Sequence, residues 1–440
     1  MAASGFDGGW LSAHLGDASV SSLFMDEAEL AAMARVEAAL AAVQGRLGII
    51  PAEIGARLSE SLKNASVSAL RIRDGAAQSG IPVPALVASL REQVAAADAP
   101  FVHFGATTQD IMDTGLILRL SELLNAFSER LDVLILALAD QAERTGGAIM
   151  AARTWGQAAT PTTLGLRISA WLAPLIRSRD RLRELMPRLL VLQWGGASGT
   201  AASMGAAAEE IESALAQELG IARAVKPWQT ERDNLAELAG WLSLLTGTLG
   251  KMGADLKLMA SSGEAFAGVP GSSSTMPQKA NPVGAEALLT LSRFNAAQIG
   301  GVHAALVHAE ERDAGPWQSE WLFLPQMAIA AGAALRHAQT LATSIRHDPE
   351  AMAEIIARGR GTLLAEAAQF ALAAHIPRPE ATTLVKEAIS AMGPNGNLFD
   401  VLRALTDAPV DWDHVANPGN YIGSAHAFVE RTVAAARQKS

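Results

Sequence analysis

The stretch that decides the fold runs from Asp110 to Thr145, DIMDTGLILRLSELLNAFSERLDVLILALADQAERT. Its apolar residues recur at alternating spacings of three and four, at Ile117, Leu120, Leu124, Phe127, Leu131, Leu134 and Leu138. This spacing keeps one face of an α-helix apolar, and at about 1.5 Å per residue it predicts a helix of roughly 50 Å. A second stretch, Glu231 to Ala260, repeats the pattern at Leu235, Leu238, Leu242, Leu245, Leu249, Met252, Leu256 and Met259.

Further apolar residues of the first stretch lie outside this seam, at Leu116, Leu123, Val133 and Leu136. A helix that is apolar on several sides needs neighbours on several sides. Helices this long are also unusual in a monomeric globular domain. The pattern therefore predicts a helix bundle shared between subunits of a homotetramer.

The remaining sequence also predicts an all-α fold, because runs typical of strands are too few for a central sheet. Other long helices are expected over 162–189, 283–312 and 318–345, with Pro174 kinking the first of them. We predict three helical domains: an N-terminal domain at 1–109, a central long-helix bundle at 110–345 and a C-terminal domain at 346–440. The second boundary falls near Pro349, because a residue that precedes proline disfavours the helical conformation.

Composition narrows the classes of function. The chain has 440 residues, of which 50% are hydrophobic and 18% charged, so it can bury a large core. A net charge of −10 argues against a general binder of nucleic acid or anionic membranes. The chain has no cysteine, which excludes disulfides and thiolate sites and is compatible with a cytoplasmic protein. Met1 to Trp10 predicts no signal peptide, and no apolar stretch reaches membrane-spanning length.

The segment Gly271–Pro282, GSSSTMPQKANP, carries the most chemistry. Glycine and serine favour a loop over a helix, while Asn281 and Pro282 suit the start of the helix that follows. A serine hydroxyl can give or take a proton, and Lys279 can neutralise a nearby carboxylate. A mobile serine-rich surface loop is the alternative interpretation from residue types alone.

This segment resembles the signature of the fumarase/aspartase superfamily, G-S-S-x-M-P-x-K-x-N-P, with Ser272 in place of the first glycine. The resemblance implies that Ser273 is the catalytic acid/base. It also implies that Lys279 and Asn281 bind the substrate carboxylate that carries charge in the transition state. Glu286, seven residues after the lysine, is then expected to be hydrogen-bonded to a catalytic partner.

A second segment, Val102–Asp110 (VHFGATTQD), stands just before the first long helix. Threonine hydroxyls and the amides of a helix start can bind an anion. An isolated H-x-G is more often structural than functional. Beside the serine loop, however, the segment resembles the superfamily's H-x-G-x-T-S-x-D region. The resemblance implies that Thr107 and Thr108 are carboxylate ligands and that His103 lies close to the substrate.

A third segment is Arg153–Gln157 (RTWGQ). Taken alone, Trp155 is expected to pack between helices. Fumarases and adenylosuccinate lyases have a histidine there, whereas the segment is similar to the R-T-W-x-Q of one branch of the superfamily, the bacterial 3-carboxy-cis,cis-muconate cycloisomerases. The resemblance implies that Arg153 and Gln157 orient the substrate.

The exchange of histidine for tryptophan has a chemical reason. An indole has only an N–H and is no ordinary proton donor. In the cyclisation of a muconate the nucleophile is a carboxylate of the substrate itself, whose pKa near 4 leaves it ionised at neutral pH. No second acid/base is needed on that side, so an indole that shapes a closed pocket can replace the histidine. A lysine that stabilises the enediolate and one proton donor to carbon remain necessary, and Lys279 and Ser273 can supply them.

Two further segments resemble the same branch: Pro227–Asn234 (PWQTERDN) and Glu311–Pro325 (ERDAGPWQSEWLFLP), which contains Arg312. The resemblance runs from about residue 15 to 345 and is weaker in the C-terminal domain. Gln278 and Ala280 stand where histidine and arginine are common in this branch. The loss of an arginine could favour a sulfonate over a carboxylate as the 3-substituent; alternatively, both side chains point to solvent.

The predicted function is therefore cyclisation of 3-carboxy-cis,cis-muconate to a carboxymuconolactone, a step of aromatic degradation in the protocatechuate branch of the β-ketoadipate pathway. Predicted catalytic residues are Ser273, Lys279 and His103, and predicted substrate-binding residues are Thr107, Thr108, Arg153, Trp155, Gln157, Asn281, Glu286 and Arg312. No metal and no cofactor are predicted, because the histidines lack a ligand spacing and no dinucleotide fingerprint follows a strand. The partners expected are a small polycarboxylate substrate and further copies of the chain.

Three other functions stay open. A 3-sulfomuconate cycloisomerase would share the chemistry. Trp155 argues against an adenylosuccinate-type lyase. The intact set of Ser273, Lys279 and Asn281 argues against a catalytically silent helical scaffold of the kind that serves in the lens.

Overall fold

The computed structural model describes Phe6, residues 9–271, Met276 and residues 279–438. Within them helices dominate and strands are few and short, so the all-α prediction is confirmed. The helices are α1 (Gly9–Leu15), α2 (Ala18–Ser22), α3 (Asp26–Arg46), α4 (Ala52–Lys63), α5 (Ala69–Ser79), α6 (Val83–Glu92), α7 (Thr108–Arg144), α8 (Leu164–Leu189), α9 (Ala208–Leu219), α10 (Asp233–Ser262), α11 (Val283–Ala304), α12 (Ala314–Ala342), α13 (Pro349–Arg358), α14 (Ala365–Ala373), α15 (Arg378–Ala391), α16 (Leu398–Leu405), α17 (Trp412–Ala416) and α18 (Ala425–Arg437).

Four short strands accompany the helices and form two antiparallel pairs. They are β1 (Ile149–Thr154) with β2 (Gln157–Thr163), and β3 (Ala265–Phe266) with β4 (Arg346–His347). Short 3₁₀ turns occur at Ala99–Phe101, Ala202–Ala207, Thr362–Leu364 and Pro418–Tyr421. The described part of the chain therefore has no central sheet, as the sequence predicts.

Both predicted seams are buried. Every seam residue of α7, from Ile117 to Leu138, is 0% exposed, and those of α10, from Leu235 to Met259, are at most 2% exposed. Apolar burial at about 25 cal/mol per Å² is the main stabilising contribution of such faces. Outside the α7 seam, Leu123 is buried, whereas Val133 and Leu136 are 57% and 48% exposed within this chain.

The prediction of one helix over 283–312 is wrong in its second part. Helix α11 ends at Ala304, and a loop follows in which Glu310 adopts a left-handed backbone with φ of 54°. The sequence after Ala304 is compatible with a helix, and the break accompanies the burial of the His308 side chain, which is 0% exposed. Propensity alone could not show this, because tertiary packing overrides it. Helix α8 runs without interruption through Pro174.

The chain divides into two compact units. Unit 1 comprises Met1–Arg130, Ser178–Gly247 and Thr290–Arg336, and unit 2 comprises Leu131–Arg177, Thr248–Leu289 and His337–Ser440. In unit 1, α3 and α4 approach closely at Gly45 and Gly55, where a Cβ on Gly55 would lie 2.6 Å from the Gly45 Cα. Glycines at this contact allow α3 and α4 to pack tightly. The three-domain division made from the sequence stays a prediction.

Among the residues described, no helix combines the length and the apolar character that crossing a membrane requires.

Candidate active site

In unit 1 the predicted carboxylate ligands stand at the start of α7. Thr108 is the first residue of that helix, and both Thr107 and Thr108 are partly exposed. The backbone N–H of Thr107 donates to the Asp110 Oδ2 at 3.1 Å. A carboxylate that reaches back to the amide before a helix is half of a capping box. The backbone N–H of Thr107 therefore has a partner within the chain and is not free to bind an anionic ligand.

Asp110 anchors this helix start to a neighbouring loop. It is 1% exposed and also accepts backbone hydrogen bonds from Gly195 and Gly196, each at 2.9 Å. Burial raises the pKa of Asp110 to about 6, against the opposing effect of the hydrogen bonds from Thr107 and the two glycines. The buried Asp110 carboxylate thus joins the partly exposed turn at Thr107 to the loop at Gly195 and Gly196.

His103 lies in the turn before α7 and has a buried partner. Its Nδ1 is 2.6 Å from the Oε1 of Glu37 on α3, and the two side chains are 18% and 1% exposed, respectively. The His103 backbone is left-handed, with φ of 65°, a region that non-glycine residues enter at an energetic cost and often near functional sites. Glu37 is not among the site residues predicted from the sequence. In the sequence Glu37 stands out only as an acidic residue within an apolar part of α3, and the sequence does not show which residue its side chain contacts.

Arg312 is brought to the same part of unit 1 by the loop after α11. Its Nε donates to the Gln109 Oε1 at 3.0 Å, and its guanidinium approaches the carbonyl of Gly196 at 3.4 Å. The Gln109 amide in turn donates to Asp113 at 3.0 Å. These contacts place Arg312 beside the start of α7.

A buried ionic network joins Arg232 and Glu320, which lie in the two further segments of the sequence analysis, to Asp113 of α7. Arg232 donates to Asp113 at 2.6 Å and to Glu320 at 2.6 Å, and all three side chains are at most 4% exposed. Burial would lower the pKa of Arg232, but the two carboxylates outweigh it and raise that pKa. Burial raises the pKa of Glu320 despite Arg232. The Trp317 Nε1 also donates to Asp113, at 3.1 Å. The network is a structural support for α7, α10 and α12 within unit 1.

In unit 2 the hairpin of β1 and β2 carries the third predicted segment. Thr154 and Gln157 pair across a two-residue turn made by Trp155 and Gly156, whose φ values are 52° and 76°. Such turns prefer asparagine or glycine, so tryptophan is strained there. The Trp155 side chain is fully exposed within this chain, which excludes the alternative that it packs between helices of its own chain. Gln157 is exposed as well.

Arg153 is held by a buried acid. Its guanidinium lies 2.5 Å from the Glu264 Oε2, and the side chains are 23% and 0% exposed, respectively. The same carboxylate accepts the Ser262 hydroxyl at 2.6 Å. Arg153 is therefore fixed close to the turn that presents Trp155.

Part of the serine-rich segment can be described. Lys279 is exposed, and its backbone N–H donates to the Met276 carbonyl at 3.0 Å. The Asn281 side-chain amide, through Nδ2, donates to the Gly271 carbonyl at 3.3 Å. Ser273 lies outside the described residues, as do Ser272 and Gln278. On α11, Glu286 forms an ion pair with Lys257 at 2.8 Å.

The groups of unit 1 are the His103 imidazole hydrogen-bonded to a buried carboxylate, one arginine and two threonines. Those of unit 2 are a lysine, an asparagine, an arginine and the exposed Trp155 indole. These are groups that bind polycarboxylates and move a proton. No cluster of three or more histidine, aspartate or glutamate side chains with the arrangement of a metal site occurs in the described part of either unit.

The sequence model of the lyase family matches residues 11–299. The chain belongs to this family, the fumarase/aspartase superfamily. It is 40% identical to the 3-carboxy-cis,cis-muconate cycloisomerase of Pseudomonas aeruginosa, with 95% of this chain and 94% of that protein covered. It is 35% identical to the enzyme of the same name from Bradyrhizobium diazoefficiens, with 95% and 96% covered.

A solved structure agrees with these relatives. The 3-carboxy-cis,cis-muconate lactonizing enzyme from Pseudomonas putida superimposes with a TM-score of 0.91 at 33% identity, covering 97% of this chain and 98% of that one. The resemblance drawn from the three motifs is therefore confirmed at the level of the family and the fold.

Proposed function

We propose that the chain is a 3-carboxy-cis,cis-muconate cycloisomerase. The observation that carries this proposal is the 40% identity, over nearly the whole of both chains, to a relative of that name. The hairpin turn with Trp155 adds to it, because a lyase that must protonate a leaving amine has a histidine at this position. The reaction is an intramolecular addition of a substrate carboxylate to a conjugated double bond, which gives a carboxymuconolactone.

The proposed mechanism has two steps. A carboxylate oxygen of the substrate attacks the carbon of the double bond that lies β to a second carboxylate, and the π electrons move onto that carboxylate as an enediolate. The Ser273 hydroxyl then protonates the carbon α to it, which restores the carboxylate. Lys279 stabilises the enediolate, since a positive charge placed where negative charge develops lowers the barrier.

The other predicted residues bind and orient the substrate in this proposal. Thr107, Thr108 and Asn281 hold substrate carboxylates, while His103, Arg153, Gln157, Glu286 and Arg312 orient the substrate and its partners. The exposure of Lys279 supports its role in stabilising the enediolate, and the partial exposure of His103 supports its role in orienting the substrate, because both groups are accessible to a ligand. A polyanionic substrate entering a protein of net charge −10 requires such a locally cationic site.

We further propose a homotetramer whose active sites are built from regions of three subunits, as the resemblance to the superfamily implies. Val133 and Leu136 support it, because two large apolar side chains remain exposed on α7. The exposed Trp155 supports it too, since an indole on a strained turn gains apolar contact when another surface covers it. A cytoplasmic location stays a prediction.

The test is an ultraviolet assay of purified protein with 3-carboxy-cis,cis-muconate, 3-sulfomuconate and adenylosuccinate in parallel. We expect turnover of 3-carboxymuconate that is unchanged by EDTA. Turnover of 3-sulfomuconate in preference would favour the alternative suggested by Gln278 and Ala280. Turnover of adenylosuccinate alone would overturn the proposal, and loss of activity in EDTA with recovery on adding a divalent ion would overturn the mechanism.

A further inference from the structure

Glu37 is a carboxylate in an apolar setting. On α3 it follows Val36 and precedes Ala38, both at most 2% exposed, and it is itself 1% exposed. Its Oε1 meets the Nδ1 of His103 at 2.6 Å, and its Oε2 has no hydrogen-bond partner among the residues described. Burying a carboxylate is expensive unless a charged or hydrogen-bonding partner compensates. His103 is that partner, so the pair acts as one unit.

The turn that carries His103 is held against the same helix. Gln44 lies two turns after Glu37 on the same face of α3. Its Nε2 donates to the Phe104 carbonyl at 2.7 Å. From α6, the Arg91 guanidinium donates to the Val102 carbonyl at 3.1 Å. The charged groups that meet this turn are therefore Glu37 from α3, Arg91 from α6 and Asp110 from α7, which accepts the Thr107 amide. The turn fixes the ring with Nδ1 toward Glu37.

The pair restricts where the proton of the imidazole can sit. When Glu37 is ionised its carboxylate oxygens can only accept, so a neutral ring at this distance carries its proton on Nδ1. The other nitrogen, Nε2, is then an acceptor. It makes no hydrogen bond within the described residues and is not one of the buried unsatisfied atoms, which leaves it accessible on a side chain that is 18% exposed.

We propose that Glu37 is a positioning residue for His103, which it holds with Nδ1 protonated and Nε2 presented to the substrate, so that binding of a substrate carboxylate at Nε2 is coupled to uptake of one proton by the ring. A neutral ring in this tautomer has only a lone pair to offer a carboxylate, and two acceptors repel each other. The proton comes from solvent and makes an imidazolium that donates from both nitrogens, to Glu37 and to the substrate. The substrate part of this inference rests on the proposed function, whereas the tautomer does not.

The tautomer is tested by ¹⁵N NMR of histidine-labelled protein, with His103→Gln used to assign the ring. We expect the neutral His103 ring to carry its proton on Nδ1 in the wild type and in Glu37→Asp, and to populate the Nε2–H form in Glu37→Gln. The matched control is Glu29→Gln, on the same helix, which should leave the signal unchanged. A wild-type ring with its proton on Nε2, or a signal that Glu37→Gln does not alter, would overturn the proposal.

Proton uptake is tested by titration calorimetry with tricarballylate, a saturated tricarboxylate that cannot cyclise, in buffers of different ionisation enthalpy. We expect net uptake by the wild type and by Glu29→Gln, less in Glu37→Gln, and none in His103→Gln. Glu37→Gln, checked by its Tm, should lower kcat/KM for 3-carboxymuconate by about tenfold or more, by analogy with the loss on mutating the carboxylate partner of a metal-bound histidine.

The outcomes separate this inference from the proposed function. Proton uptake with no turnover of 3-carboxymuconate would remove the proposed function and leave Glu37 and His103 as part of a polycarboxylate site. Turnover without uptake, or no binding of tricarballylate, would overturn the coupling between His103 and a carboxylate.

Discussion

Gly271 and Asn281 exchange two backbone hydrogen bonds, from Gly271 N to Asn281 O at 2.9 Å and from Asn281 N to Gly271 O at 3.2 Å. The stretch between them contains both Ser273 and Lys279. A Cβ on Gly271 would lie 2.4 Å from the Val283 Cγ2, so only glycine fits at this closure without a shift. The pairing fixes the two ends of the segment that carries the proposed proton donor and the proposed enediolate-stabilising lysine.

Replacing Ser273 with alanine tests the proton donor. Ser273→Ala should lower kcat by about 10²-fold or more, the usual scale for a general acid/base, with a modest change in KM. Steady-state kinetics with 3-carboxymuconate measure both constants. The neighbouring Ser272→Gly restores the superfamily residue and should be tolerated. Loss of activity in Ser272→Gly with none in Ser273→Ala would mean that the register of the motif is off by one.

Lys279→Met tests electrostatic stabilisation. It should be at least as damaging as Ser273→Ala, because it removes the charge that faces the enediolate. Lys386→Met, which changes an exposed lysine on helix α15 outside the predicted site residues, is the matched control for loss of one lysine and should keep the wild-type kcat. An unchanged kcat/KM in Lys279→Met would exclude the proposed role.

Trp155 allows a test of why this branch lacks a histidine. Trp155→Phe should keep much of the activity if the indole only shapes the pocket. Trp155→His should neither create lyase activity nor speed lactonisation, because a carboxylate nucleophile with a pKa near 4 gains nothing from an imidazole base. A pH–rate profile of both variants decides between the outcomes. A raised kcat in Trp155→His with a new limb near pH 6.5 would show that the carboxylate does need acid or base assistance.

The exposed residues of α7 test the assembly. Val133→Lys combined with Leu136→Lys should dissociate the proposed tetramer, because charged side chains are depleted from the core of an interface and burying them is unfavourable. Light scattering coupled to gel filtration measures the mass. Leu70→Lys, which changes an exposed leucine on α5, should keep the wild-type mass. A wild-type mass of 45.9 kDa at micromolar concentration would contradict the tetramer itself.

Asp110 predicts a dependence of stability on pH. Its pKa is raised to about 6 in the folded chain from the model-peptide value of 3.8, so the carboxyl favours folding below pH 3.8 and that contribution is lost as the pH rises to about 6. Relative to Asp110→Asn, the wild type should therefore lose roughly 2–3 kcal/mol between pH 4 and pH 7, at 1.36 kcal/mol per pKa unit. Denaturant unfolding across this range measures it, with the exposed Asp407→Asn as control. A difference that does not vary with pH would contradict the raised pKa.

Periodicity and motifs predict different features of this chain: periodicity predicts helix faces, and motifs predict residue roles. The seams of α7 and α10 were predictable, because a spacing of three and four defines one helix face whatever that face packs against. The end of α11 at Ala304 was not, since the residues after it are compatible with a helix and only the structure shows that they form a loop in which His308 is buried. The roles of Ser273 and Lys279 came from a motif and stay predictions.

By itself, the sequence determined the all-α class, the long helices and the family, because side-chain periodicity and local motifs are properties of neighbouring residues along the chain. Only the tertiary structure decided that Glu37 meets His103, that Glu264 holds Arg153 and that Arg232 joins Asp113 to Glu320. The partners in these pairs are far apart in sequence, and buried charges are compensated by whichever group the packing of helices brings within hydrogen-bond distance. The sequence shows a buried charge only as an isolated acid or base in an apolar run, and the fold alone supplies its partner.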